Sequence, residues 1–254
     1  MLLSIHDWHN RFSQQARWTR ELRKYLFERA QITRAQRILE VGCGTGAIMH
    51  DLAPVFGDSF EIHGLDLKGE YLAFAKRHST IAHLVIGDGL ELPYSPQTFD
   101  LVYCHFLLLW VQNPIQIVRE MRRVVRPGGS VLALAEPDYG GRIDYPEQLS
   151  DLGKYQMQAL KNQGADPHSG RKVKAVFQQA GLEEVEAGVL GGQWKDAPAQ
   201  ADVDMEWRVL REDIKTLENQ AALADIEQVE RRAWQDGVRL LYVPTFYAWG
   251  KVKN

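Results

Sequence analysis

From residue 11 to residue 30, apolar positions recur at helical spacing. Phe12, Ala16, Leu22 and Leu26 sit between arginines and glutamates, which is the stripe of an amphipathic helix. The period then changes. Residues 37–41 form a short apolar run ending at glycines, read as a strand, and residues 47–56 return to helix. A strand over 61–67, a helix over 70–78 and strands over 83–86 and 99–104 follow. Asn113-Pro114 opens the next helix, because Asn caps well and Pro suits the first helical position. Ile115, Val118, Met121 and Val125 give that helix an apolar stripe, Arg126-Pro127-Gly128-Gly129 stops it, and residues 130–135 are a fifth strand. Strands alternating with helices predict βαβ units, a parallel sheet and right-handed crossovers.

The second half is less regular. Residues 146–162 and 173–180 read as helices, 182–189 as a strand, and 242–252 as a closing strand rich in aromatic and β-branched residues. Residues 199–236 are charged and helix-prone, with Met205, Trp207, Leu210, Ile214 and Leu217 along one face. The break near Pro198-Ala199 suggests an insertion into the sheet. The expectation is one domain over 1–254: a helical cap over 1–34, a ligand-binding core over 35–137, and substrate or lid segments over 138–180 and 195–238.

Composition narrows the function classes. The net charge of −3 gives no global attraction to nucleic acid, and the basic run from Arg119 to Arg126 has no aromatic interleaving, so it reads as a solvated helix face. Cys43 and Cys104 are too far apart in sequence to suggest a disulfide framework or a zinc site. His6 and His9 have a metal-like spacing but fall in what reads as a loose terminus, and no metal is expected. No leader pattern and no membrane-length apolar stretch stand out, so a cytoplasmic protein is expected. The oligomeric state is left open.

The chemistry concentrates in Gly42-Cys43-Gly44-Thr45-Gly46, between a strand and a helix. Glycines there let the chain turn sharply and let a ligand approach the backbone. The spacing is GxGxG, so the third glycine comes one residue early for the dinucleotide fingerprint GxGxxG. Glu40 also precedes the loop. A carboxylate in that place is poor for a pyrophosphate and good for a cationic, amine-bearing ligand. S-adenosyl-L-methionine, with an ammonium and a sulfonium, suits it. Asp66 ends the second strand, where a carboxylate accepts ribose hydroxyls, and Asp88 follows the third, where it meets an adenine amino group. A nicotinamide-dependent oxidoreductase is a weaker alternative.

Taken together, Ile38–Gly46, Gly64–Leu67, Gly87–Tyr103 and Arg119–Gly129 resemble a class I S-adenosylmethionine-dependent methyltransferase, of the broad group that includes ubiquinone- and menaquinone-biosynthesis enzymes. The resemblance covers residues 35–137. It implies a Rossmann-like three-layer α/β sandwich with a mostly parallel seven-stranded sheet whose last strand is antiparallel, an N-terminal helix, and a helical insertion before that strand. It also implies S-adenosyl-L-methionine as cofactor and S-adenosyl-L-homocysteine as product. Gly42, Cys43, Gly44 and Gly46 would surround the methionine part. Asp66 would bind ribose, Leu67 would pack on adenine, and Asp88, Gly89 and Leu90 would hold its edge. Cys104 and His105 would line the methionine portion, and Gln14, Gln15 and Trp18 would fold over the site. A binding protein of the same fold without methyl transfer is the alternative.

The acceptor is expected to be a small molecule. His105 is the candidate base. Asp138 and Tyr139 are candidate acceptor contacts, with a capped turn as the plainer reading of Asp138. Arg142 and Asp144 are read as a mutual pair, and His168 as part of a helix-start loop. Arg171 is read as a solvated helix residue, and Trp194, Trp207 and Trp234 as an aromatic wall or core packing.

Overall fold

The structure is a computed structural model, and it describes residues 3–31, 36–56, 61–78, 82–189, 191, 197–214 and 220–253. The helical stripe near the N-terminus is two helices, α1 (Ile5–Trp18) and α2 (Arg20–Arg29). It begins earlier than expected because Ser4 and Asp7 form a capping box: the Ser4 hydroxyl accepts from the Asp7 N–H, and the Asp7 carboxylate accepts from the Ser4 N–H. His9 on α1 is tied down by a 2.9 Å hydrogen bond between its Nδ1 and the Thr45 hydroxyl. Thr19 breaks the helix in two.

The sheet alternates as its sequence pattern requires. β1 (Arg37–Val41), β2 (Glu61–Asp66), β3 (Ala82–Ile86), β4 (Phe99–Cys104) and β5 (Val125–Pro137) are parallel, separated by α3 (Ala47–Phe56), α4 (Gly69–His78) and α5 (Pro114–Val124). Asn113 caps α5, its side chain accepting from the Gln116 N–H at 3.1 Å. α5 ends at Val124, and the Arg-Pro-Gly-Gly segment already lies within β5.

After β5 the chain forms β6 (Ile143–Tyr145), α6 (Ser150–Asn162), α7 (Ser169–Gln179) and β7 (Glu183–Val189). It then runs through α8 (Gln200–Ile214), α9 (Gln220–Gln235), β8 (Leu240–Tyr242) and β9 (Thr245–Lys251). The main sheet has the order β3-β2-β1-β4-β5-β9-β7, and β9 runs antiparallel to both of its neighbours. The expected closing strand is thus two: β9, and the short β8, which pairs with β6 in a separate two-stranded sheet.

Strand residues point to opposite faces in turn. Leu39, Val41, Val102, Val131 and Ala133 join α5 and α7 in one core. Ile38, Leu101, Tyr103, Leu132 and Leu134 join α1, α2, α3 and α4 in the other. The result is the expected three-layer Rossmann-like arrangement. A third core, with Leu152, Ala159, Val203, Trp207 and Leu210, is built by α6, α8 and α9. Met205 and Ile214 of the expected apolar face are buried, while Leu217 and Trp194 lie outside the described residues. Among the described residues no helix is long and apolar enough to cross a membrane.

Candidate active site

The C-terminal ends of β1, β2, β3 and β4 open on a cavity of 550 Å³, where ligands bind in open α/β sheets. The glycine loop forms its floor. Gly42 and Gly44 both have positive φ, +75° and +53°, which glycine adopts at no steric cost. A Cβ on Gly42 would stand 2.8 Å from the Leu107 side chain, and one on Gly44 3.1 Å from Phe12. The loop is fixed from behind: the Gly42 and Cys43 N–H groups donate to the Leu65 carbonyl at 2.7 and 3.0 Å. Asp66 fixes it from the side, accepting from the Gly44 N–H at 2.8 Å and, on its other oxygen, from the Lys68 N–H at 2.9 Å.

Most of the residues expected to hold a cofactor meet here. Glu40, Gly42, Cys43, Gly44, Asp66, Leu67, Asp88, Gly89 and His105 all line the cavity, as does Gln15. Leu67 is 70% exposed, a large apolar side chain open to whatever enters. Cys43 contributes backbone, because its sulfur packs in the core against Gly64.

Four of the expected residues lie off this cavity's wall. Gly46 does not line the cavity; it closes the turn, donating to the Cys43 carbonyl at 2.9 Å. Leu90 is also off the wall, its N–H spent on Asp88 at 2.9 Å. Cys104 is fully buried under the sheet edge, its sulfur 3.9 Å from Glu136. Trp18 lies on a different cavity, for a reason of helical periodicity. Trp8, Phe12 and Gln15 form one stripe of α1, facing the glycine loop. Arg11, Gln14 and Trp18 form the adjoining stripe, and that stripe faces the second cavity.

The electrostatics of the first cavity are acidic. Glu40, Asp66, Asp88 and Asp213 stand against Arg11 and Lys68. Glu40 is only 2% exposed and accepts from the Tyr103 hydroxyl at 3.1 Å. Burial pushes its carboxyl up to about 8, and the Tyr103 hydrogen bond and the Arg23 charge only partly oppose this. His105, the expected base, shares a 2.9 Å hydrogen bond with the Thr19 hydroxyl. Burial lowers it to about 3, with the Arg23 charge adding to the effect. Its ring is therefore neutral near pH 7.

A second cavity, of 420 Å³, adjoins the first, and Arg11, Phe106, Tyr139 and Gln156 line both. Its walls carry Trp18, Trp207, Trp234 and Tyr242. The charges on them are paired. Arg11 bonds Glu206, Asp202 holds Arg17 at 2.6 Å, Arg142 holds Asp144 at 2.7 Å, and Glu230 holds Arg239 at 2.7 Å. Asp138 is not on these walls. It caps the turn at Gly140 at 3.1 Å and binds Arg171, which is therefore a partner of Asp138 and not a free surface cation. His168 stands at the start of α7 beside Asp138.

Sequence reasoning did not single out Glu136, Phe106 or Arg11. Glu136 is fully buried and accepts the N–H groups of Leu107, Leu108 and Leu109 at 3.0 to 3.3 Å, which shapes the loop after β4. Phe106 in that loop has a φ of +52°, a conformation costly for a non-glycine residue. The acid four residues after an apolar strand core was the available signal for Glu136.

Comparisons with known proteins agree with this geometry. The family described as a methyltransferase domain matches residues 39–133. Demethylmenaquinone methyltransferase of Lysinibacillus sphaericus is 30% identical over 190 residues, 68% of this chain and 80% of that protein. The enzyme of the same name from Bacillus mycoides is 30% identical over 193 residues, covering 69% and 80%. Among solved structures, phosphoethanolamine N-methyltransferase 2 of Haemonchus contortus shares the fold with a TM-score of 0.53 and 18% identity. That match covers 86% of this chain and 48% of the Haemonchus chain. With a relative matched at this identity over most of both lengths, the chain belongs to the class I S-adenosylmethionine-dependent methyltransferases of the quinone-biosynthesis type.

Proposed function

We propose that the chain transfers a methyl group to a small, neutral, ring-bearing acceptor seated in the second cavity, by in-line displacement. The observation that carries this reading is the contrast between two adjoining cavities. One is lined by four acids against two bases, and the other is walled by aromatic side chains whose neighbouring charges cancel in pairs. A cation fits the first, and a planar uncharged ring fits the second.

The residues that would hold S-adenosylmethionine are Glu40, Gly42, Gly44, Asp66, Leu67, Asp88 and Gly89. The open glycine cradle and the acid-rich wall fit its size and charge. When bound, it supplies an already activated methyl group, so the protein's work is mainly alignment and exclusion of water. In this reading the chain is a single domain in which the 1–34 segment caps the cofactor side, its helix α1 lying against the glycine loop, and the segments 138–180 and 195–238 serve the acceptor side. The relatives' name makes reduced demethylmenaquinone the first acceptor to try. Incubation with methyl-labelled S-adenosylmethionine should move label onto it or onto a related hydroxylated ring. Tight cofactor binding with no transfer to any hydroxylated ring would favour a binding protein of the same fold.

A second expected outcome follows from Glu40. Its free carboxyl sits at about 8, so about nine-tenths of the molecules carry that proton at pH 7. A bound cation favours the carboxylate, so binding lowers that value and drives the proton off. Affinity for S-adenosylmethionine should therefore rise with pH up to about 8. Calorimetry at pH 7 in buffers of different ionisation enthalpy should detect close to one proton released. In Glu40→Gln the release should vanish and binding weaken. Equal heats in all buffers for the native protein would place the cationic groups away from Glu40.

A further inference from the structure

Tyr139 stands where the two cavities meet. Four side chains line both spaces: Arg11, Phe106, Tyr139 and Gln156. Arg11 is committed to Gln14 at 2.8 Å, to Glu206, and to the face of Trp18 at 4.9 Å. The Gln156 carbonyl accepts from Arg142 at 2.5 Å. Phe106 has no polar side-chain atom. The Tyr139 hydroxyl has no hydrogen-bond partner among the described residues.

That hydroxyl is held in place from its backbone. Tyr139 opens the turn Tyr139–Gly141 directly after β5. Its N–H donates to the Pro167 carbonyl at 2.9 Å, and the preceding Asp138 N–H donates to the Pro244 carbonyl at 2.7 Å. The Asp138 carboxylate, bonded to Gly140 and Arg171, fastens the turn again. A preorganised group loses little freedom when it engages a ligand. Burial raises the Tyr139 phenol above its usual range, so at neutral pH it keeps its hydrogen and acts as a donor.

Building on the acceptor reading above, we propose that Tyr139 is the acceptor-binding residue of this methyltransferase: its hydroxyl donates a hydrogen bond to an oxygen on the acceptor ring, at the boundary the two cavities share. A ring hydroxyl there has its nucleophilic atoms turned toward the methyl donor's side. The bond is charge-assisted once the ring oxygen has lost its proton, and so it is stronger to the anionic ring than to the neutral one. Tyr139 thus favours the more nucleophilic form of the acceptor as well as its orientation. It takes no proton itself.

The test uses the full chain with S-adenosylhomocysteine present and 2-naphthol as the probe ring. Its ionisation is followed by absorbance. Tyr139→Phe removes one oxygen that has no protein partner, so its melting temperature should match the native protein's. The variant should bind 2-naphthol about 3- to 10-fold more weakly. The ionisation midpoint of the bound probe should move to higher pH, and S-adenosylhomocysteine affinity should stay unchanged. A merely structural tyrosine would not move that midpoint. If native and variant proteins bind and ionise 2-naphthol alike, the assignment of Tyr139 is overturned and the acceptor reading stands. If the native protein binds no 2-naphthol at all, both fall together.

Discussion

Arg239→Met is expected to destabilise the protein by about 3–5 kcal/mol, the usual cost of removing one member of a buried ion network. The Arg239 side chain is 0% exposed and lies in β8's approach to the sheet. Its guanidinium stands 2.6 Å from Asp144 and 2.7 Å from Glu230, and it also donates to the carbonyls of Tyr145 and Leu240. Asp144 is held in turn by Arg142, and Arg142 by Gln156. Two cations and two acids thereby join β6, α6, α9 and β8 around the second cavity. Methionine keeps much of the stem's volume, so the loss reports the charge and its hydrogen bonds. It leaves Glu230 buried with no partner. Adding Glu230→Gln should therefore restore part of the stability, a coupling that a urea-melt double-mutant cycle would read directly. A loss below about 1 kcal/mol for Arg239→Met would mean that water replaces the arginine, as at an exposed pair.

That network shows why this side of the molecule was hard to read in the sequence. β6 and β8 are three residues each, too short for a period to mark them. They pair across some hundred residues of chain, Asp144 opposite Leu241, and the buried Asp144–Arg239 contact beside them is as distant in sequence, so no local pattern carries either. The parallel strands were legible for the opposite reason. Each is covered by helices on both faces, so each appears as a short apolar run between glycines and acids. The start of α1 was also legible: Ser4 and Asp7 spell its cap, but the apolar stripe drew attention to residue 11 and beyond.

The same division runs through the site. Glu40, the glycine loop, Asp66 and Asp88 lie at consecutive strand ends, and the sheet's topology gathers them without help from the rest of the chain. Arg11, Phe106, Tyr139, Gln156 and Trp207 come from five separate segments and meet only after the helices pack. His105 looked like a base because of its place after β4. Thr19, brought in by the break between α1 and α2, also ties that ring to the helices, a contact no local pattern shows. Trp18 was assigned to the cofactor because α1 covers the glycine loop. A helix that serves as a wall between two cavities presents adjoining stripes to each, and residue 18 is on the other one.

The second large effect is expected at Asp66. Asp66→Ala should raise the dissociation constant for S-adenosylhomocysteine about 10- to 100-fold, roughly 1–3 kcal/mol. Two losses combine in that figure. The carboxylate oxygens hold the Gly44 and Lys68 N–H groups, and each keeps a second lone pair for a ligand hydroxyl. Alanine removes the ligand contact and also frees the loop whose conformation forms the cavity floor. Asp66→Asn separates these. Its single carbonyl can keep one backbone N–H, but its amide must face the other as a second donor, so asparagine should recover little of the affinity. The ribose itself can be varied as well. Against the 2′,3′-dideoxy analogue of S-adenosylhomocysteine, native protein and Asp66→Ala should differ much less than they do against the parent compound, because only the loop contribution is left. An equal penalty against both compounds would show that Asp66 acts through the glycine loop alone and that the ribose hydroxyls are held elsewhere.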